Sequence, residues 1–214
     1  MIVIAIDGPA ASGKSSVSRR LAKRLGFAYV NSGSMYRAVT WEVLRQGADT
    51  ASPETVGAAL SRAEITCGIG EDSESFIHVN NASPDASLRD GHVNRHVSLV
   101  SAVPAVRELV STRLRALAQD RPLVMEGRDI GTAVFPETPF KFYLDASPEI
   151  RQQRREAEGG TDQIAARDQM DSSRKAAPLK IAPDARFVDT SHLTIDGVVD
   201  AILDALRPFG IVPK

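Results

Sequence analysis

A chain of 214 residues, 43% hydrophobic and 25% charged, is long enough to bury one full domain with a small insertion and too apolar to be disordered. A formal net charge of -1 gives no broad attraction to nucleic acid or to an anionic membrane, so any anion must be held locally. The single cysteine, Cys67, excludes an intrachain disulfide framework, and no run approaches the ~18 apolar residues of a membrane span, so a cytoplasmic protein is expected.

The first apolar run, residues 2–6, ends at Asp7 and predicts a buried strand. A helix is predicted over 14–25, with Val17, Leu21, Ala22 and Leu25 on one face and Gly26 as its C-terminal cap. A second buried strand is predicted at 27–30 and a helix over 34–46, on which Tyr36 and Trp41 serve packing. Around 64–79 two β-rich runs flank the polar turn 70–73, the pattern of a hairpin. Val106, Leu109, Val110, Leu114 and Leu117 repeat helical spacing over 103–117, and strands follow at 123–126 and 140–144. Ser147-Pro148 marks the start of another helix. A last strand at 186–189 precedes a helix over 194–206, with Ile195, Val198, Val199, Ile202, Leu203 and Leu206 turned inward.

Buried strands alternating with helices imply a parallel sheet covered on both faces, here of five strands. The hairpin lies in the long excursion between the second and third of these and reads as an inserted unit.

Gly8, Gly13, Lys14 and Ser15 satisfy G-x-x-x-x-G-K-[ST], between a predicted strand and a predicted helix. Such a loop, here Gly8, Pro9, Ala10, Ala11, Ser12, Gly13, Lys14, Ser15 and Ser16, turns backbone N–H groups toward the oxygens of a polyphosphate. Lys14 adds a charge at the β- and γ-phosphates, and the Ser15 hydroxyl can ligate Mg²⁺. A guanine-reading N-K-x-D is absent, since no Asn-Lys pair occurs in the chain, which argues against a switch GTPase.

Arginines point to phosphoryl transfer instead. Arg151, Arg154 and Arg155 share one helical face, Arg167, Asp171 and Arg174 share another, and Gly-Gly at 159–160 lies between them as a hinge-like break. Two such faces could close over a polyphosphate and stabilise charge on a transferring group, although i,i+4 ion pairs on a solvated surface would give the same spacing. Arg37, one turn into the helix after the second strand, and Arg128, just past the third, suggest a second anion site beside the first. Asp129 can accept hydrogen bonds from an amino group, and Glu126, at the strand end, can hold Mg²⁺ through a water. His92 and His96 stand at i, i+4 without a third ligand and read as a surface pair. The expected activity is phosphoryl transfer to a phosphorylated acceptor. A kinase for another small acceptor and a nucleotide-dependent switch protein remain as alternatives.

The segments IDGPAASGKSS, SGSMYR, ASLRDGHVNRHVSLVSAVPAVR, EGRDIGTAVFP, KFYLDASPEIRQQRR, RDQMDSSRKAAPL and VDTSHLTID resemble the bacterial cytidylate kinases nearly end to end. The resemblance implies an α/β, P-loop NTPase-type fold: a five-stranded parallel sheet with flanking helices, an inserted monophosphate-binding β/α subdomain and a short arginine-rich lid. It implies a core of about 1–33, 100–147 and 175–214, with the insertion about 34–99 and the lid about 148–166. It implies a monomeric, cytoplasmic enzyme that phosphorylates CMP and dCMP with ATP and Mg²⁺, without nucleic acid or membrane partners. By matching positions, Ser32, Arg37, Ser98, Arg107, Arg128 and Asp129 would form the monophosphate site. Ser98, Arg107 and Asp129 would read cytosine, while Arg37 and Arg128 would hold the acceptor phosphate. Arg167, Asp171 and Arg174 match the family's R-x3-D-x2-R, which engages ribose and phosphates. Lys14, Arg128, Arg151, Arg154 and Arg155 would act on the transferring group. Asn31 stands where the family commonly has aspartate, and Glu126 where it frequently has aspartate.

Overall fold

The computed structural model describes residues 2–84, 87–88, 90–157, 159 and 164–214. These divide into two compact units, Met1–Asn31 with Ala118–Lys214 and Ser32–Leu117. The chain opens with β1 (Val3–Asp7), α1 (Lys14–Leu25) and β2 (Ala28–Asn31). The second unit then supplies α2 (Ser32–Arg45), α3 (Pro53–Leu60), β3 (Ile65–Ile69), β4 (Ser75–Val79), α4 (Gly91–Ala102) and α5 (Pro104–Leu117). Back in the first unit come β5 (Leu123–Gly127), a π-helical turn (Ile130–Val134) and β6 (Lys141–Asp145). They are followed by α6 (Pro148–Ala157), α7 (Ile164–Ser172), β7 (Arg186–Asp189) and α8 (Ile195–Leu206).

In the first unit five parallel strands lie in the order β2-β5-β1-β6-β7. Ile4 and Ile6 pack with Val17, Leu21, Ile202 and Leu206 in one core, so α1 and α8 cover that face. Val3 and Ala5 alternate to the opposite face and are buried as well, which is why β1 reads as an unbroken apolar run. The strand at 186–189, expected to be buried, is not: as the edge strand β7 it leaves Arg186, Phe187 and Asp189 exposed, because only one neighbour flanks it. Thr194 caps α8, its hydroxyl accepting the Gly197 N–H at 3.1 Å. From β1 the chain runs to β2 on one side, whereas from the neighbouring β5 it runs to β6 on the other side of β1. That reversal puts the loop after β1 at a topological switch point, the usual place for a ligand in an open α/β sheet.

The second unit holds the predicted hairpin, in a register running from Ile65 opposite Val79 to Ile69 opposite Ser75. Its core is built from Val39, Val43, Val97, Val100, Val106, Val110 and Leu114 of α2, α4 and α5. Buried Glu42 takes bonds from Arg45 at 2.7 Å and Asn80 at 3.1 Å, tying the hairpin's end to α2. This unit runs to Leu117, whereas the sequence reading ends the insertion at 99 and leaves the helix at 103–117 in the core.

Candidate active site

Asp7 ends β1 and the loop begins at Gly8, where a Cβ would stand 2.0 Å from the Leu144 carbonyl oxygen. Only glycine lets the chain turn this close to β6. Lys14 folds back into the loop, its Nζ donating to the Pro9 carbonyl at 2.5 Å and to Ser12 Oγ at 3.2 Å. Desolvation, and next the charge of Arg128, bring Lys14 down to about 7.

Strand alternation explains how Glu126 reaches Ser15 across more than a hundred positions. Val124 and Glu126 share one face of β5, Val124 lies in the core with α1, and Glu126 stands one step further along. At that point α1 begins, and the Ser15 hydroxyl donates to Glu126 Oε2 at 3.0 Å. Tyr29 on β2 donates to Glu126 Oε1 at 2.5 Å, and Asn31 Nδ2 donates to the Tyr29 hydroxyl at 3.3 Å. Burial, reinforced by the Glu126 charge, holds the Tyr29 phenol well above its usual range, so it stays a donor.

Asp7 points the other way and accepts the Ile130 and Gly131 N–H groups at 2.8 and 2.7 Å. A Cβ on Gly131 would lie 3.0 Å from Lys141 Cγ, so a larger residue here would require the Lys141 stem to give way. The segment carrying Arg128 and buried Asp129 is thus pinned to the root of the phosphate loop. Burial raises Asp7 to about 7, against the pull of its two amide partners.

Arg128 donates to the Gly8 carbonyl at 2.9 Å and lies 3.1 Å from Asp168 Oδ1 and 3.0 Å from Asp171 Oδ2. Arg151 of α6 donates to the Ala10 carbonyl at 3.1 Å and pairs with Asp168 and Asp145. Arg154 donates to the Thr190 hydroxyl at 3.0 Å and to its carbonyl at 2.6 Å, with its guanidinium beside Gly13. Arg155 is half-buried on the same helix.

Arg174 departs from the expected helical face, because α7 ends at Ser172 and Arg174 lies beyond it. It still pairs with buried Asp171, whose carbonyl takes the Leu179 N–H at 2.9 Å as the chain turns away. Arg167 remains on α7. Of the Gly-Gly break, Gly160 lies outside the described residues, as do 158 and 161–163.

Ser32, Arg37, Ser98 and Arg107 belong to the second unit. Arg107 is buried, its guanidinium 5.5 Å from the centre of the Tyr36 ring and 3.3 Å from the Ser101 carbonyl. The Ser101 hydroxyl donates in turn to the Ser98 carbonyl at 3.1 Å, which draws Ser98 and Arg107 into one cluster. Arg37 donates to Asn94 Oδ1 at 3.3 Å. His96 is engaged with Thr50 at 2.8 Å, and the described residues hold no group of three His, Cys, Asp or Glu fit for a metal ion.

Asp7, Tyr29, Asp168 and Thr190 are absent from the sequence-based assignment. Asp168 carries the clearest local signal of the four, since it stands three residues before Asp171 and so shares its side of a helix.

A family model described as Cytidylate kinase matches residues 4–208. A cytidylate kinase of Nocardia farcinica (strain IFM 10152) is 45% identical over 213 residues, covering 94% of this chain and 91% of that protein. One from Rhodococcus opacus (strain B4) is 44% identical, covering 94% and 93%. A third, from Caldanaerobacter subterraneus subsp. tengcongensis, is 39% identical, covering 96% and 95%.

Proposed function

The chain belongs to the cytidylate kinase family, and from that premise we propose that it transfers the γ-phosphoryl group of ATP to CMP or dCMP, giving ADP and CDP or dCDP. The observation that carries this reading is the seat of Arg128. An arginine assigned to the acceptor phosphate rests on the carbonyl of Gly8, the first residue of the loop assigned to ATP. Arg128 and the loop are thereby joined directly at the strand ends of the first unit.

The attacking oxygen of a nucleoside monophosphate is already anionic near neutral pH, so no general base is needed. Catalysis is alignment plus stabilisation of charge on the equatorial oxygens. Lys14 and the loop amides take the β- and γ-phosphates, and Arg151 and Arg154 crowd the same loop from α6. Arg37 and Arg128 hold the acceptor phosphate, with Arg155, Arg167, Asp171 and Arg174 completing the polar surround. Ser32, Ser98, Arg107 and Asp129 bind and select the acceptor.

The Ser15 hydroxyl and the Glu126 carboxylate are hard oxygen donors 3.0 Å apart, which suits the Mg²⁺ that accompanies ATP. Ser15 would ligate it and Glu126 would hold it through water; when bound, the ion neutralises phosphate charge. The same reading makes the protein a cytoplasmic, monomeric enzyme of pyrimidine nucleotide metabolism acting on small molecules alone. No helix among the described residues is long and apolar enough to cross a membrane.

The test offers CMP, dCMP, UMP, AMP and GMP separately to the purified protein with ATP and Mg²⁺, following ADP. Fast turnover with CMP and dCMP is expected. Preference for another nucleotide would overturn the cytosine assignment, and silence with all five would overturn the kinase.

A further inference from the structure

Asp168 has no role in the scheme above, yet it sits at its centre. Its Oδ1 accepts the Ala10 N–H of the phosphate loop at 3.0 Å and lies 3.1 Å from Arg128 Nη1, while Oδ2 accepts from Arg151. Its side chain is only 13% exposed, and those of Arg128 and Arg151 are 15% and 12% exposed, so water screens these pairs weakly. The two guanidiniums come from different elements, the segment after β5 and α6, and both converge on this one carboxylate. A carboxylate and a phosphate offer a guanidinium the same pair of acceptor oxygens, and both are ligands for loop amides. Whatever anion uses Arg128 and Arg151 therefore meets Asp168 as a rival.

We propose that Asp168 is an internal counter-anion of the phosphate site, competing with nucleotide phosphates for Arg128 and Arg151 and thereby setting nucleotide affinity and product release. The inference rests on the assignment of those two arginines to phosphates. Arg128 and Arg151 each retain a second carboxylate, Asp171 and Asp145 respectively, so losing Asp168 frees them in part without leaving them unpaired. The opposite sign belongs to the alternative. Were Asp168 a prop that aims the arginines, its removal would weaken phosphate binding.

Asp168→Asn keeps the size of the side chain and an acceptor for the Ala10 N–H while removing the charge. Titration calorimetry of the full-length variant with ADP, and separately with inorganic pyrophosphate, should show at least about tenfold tighter binding, equivalent to ~1.4 kcal/mol. Stopped-flow displacement should show slower ADP release. Asp168→Ser, with a smaller acceptor, serves should the first variant not fold, and the same direction is expected. Asp200→Asn removes equal charge from an exposed pair with Arg24 and should leave ADP affinity unchanged. Unchanged or weaker ADP binding in Asp168→Asn overturns the proposal, as does an equal gain in Asp200→Asn. Neither probe needs an acceptor, so a wrong acceptor assignment shows in the substrate panel and a wrong role for Asp168 in these titrations.

Discussion

Asp7 shows what burial does to a single side chain. Its carboxylate is nearly dry, and two amide bonds do not fully offset the lost hydration, so its proton is held up to about 7, against 3.8 as the reference. Between those values the native state binds a proton that the unfolded chain has released. Stability therefore falls as pH rises through this window, by at most ~1.4 kcal/mol per unit. Lys14 acts elsewhere: its pKa is lowered from 10.5 to about 7, so its contribution to stability rises with pH above neutrality. Asp7→Asn should flatten the dependence of melting temperature on pH below about 7, leaving the alkaline side as in the parent protein. An unaltered acid-side slope would show that Asp7 is not the group responsible. The motif spacing makes Lys14 and Ser15 legible in the sequence. Asp7 is legible only as the polar end of an apolar run, because its two partners lie more than a hundred residues away.

At the scale of elements, the phosphate loop depends on its clearance from β6. Gly8→Ala would drive a methyl into the Leu144 carbonyl at a φ of +152°, so loop and strand cannot both keep their places. ADP binding should fall at least about a hundredfold in calorimetry, with destabilisation of ~1–3 kcal/mol in urea unfolding. Near-native ADP affinity would mean that the loop tolerates a shift of its backbone. Helices with strong periodicity, α1 and α8, have bounds readable almost to the residue, since each buries one stripe on the sheet, although Ile195, expected inward, is exposed in the first turn of α8. Neither α3 nor α4 is readable in this way. The first spans 8 residues, and the second interleaves His92, Asn94 and Ser98 with its apolar positions. Periodicity also carries the Arg167–Arg174 face too far, because nothing in residue spacing marks the turn after Ser172.

For the molecule as a whole, the residues assigned to ATP all lie in the first unit, and those assigned to the acceptor are drawn from both. Arg107 tests this division of labour, being buried in the second unit against Tyr36. Arg107→Met should raise KM for CMP by about 10–100-fold, the worth of a charge-assisted hydrogen bond, and leave ADP affinity unchanged. Loss of ADP affinity to the same degree would refute the division.

From the sequence alone, the positions of the strands, the hairpin, the phosphate loop and the family resemblance follow, because apolar runs, periodicity and motif spacing are properties of neighbours along the chain. Only the tertiary structure decides that β5 lies between β2 and β1, and with it that Glu126 meets both Ser15 and Tyr29. It alone decides that Asp168 holds Arg128 and Arg151 against the loop. Strand order and register bring together groups distant along the chain, and no local pattern records which charged residue will face which.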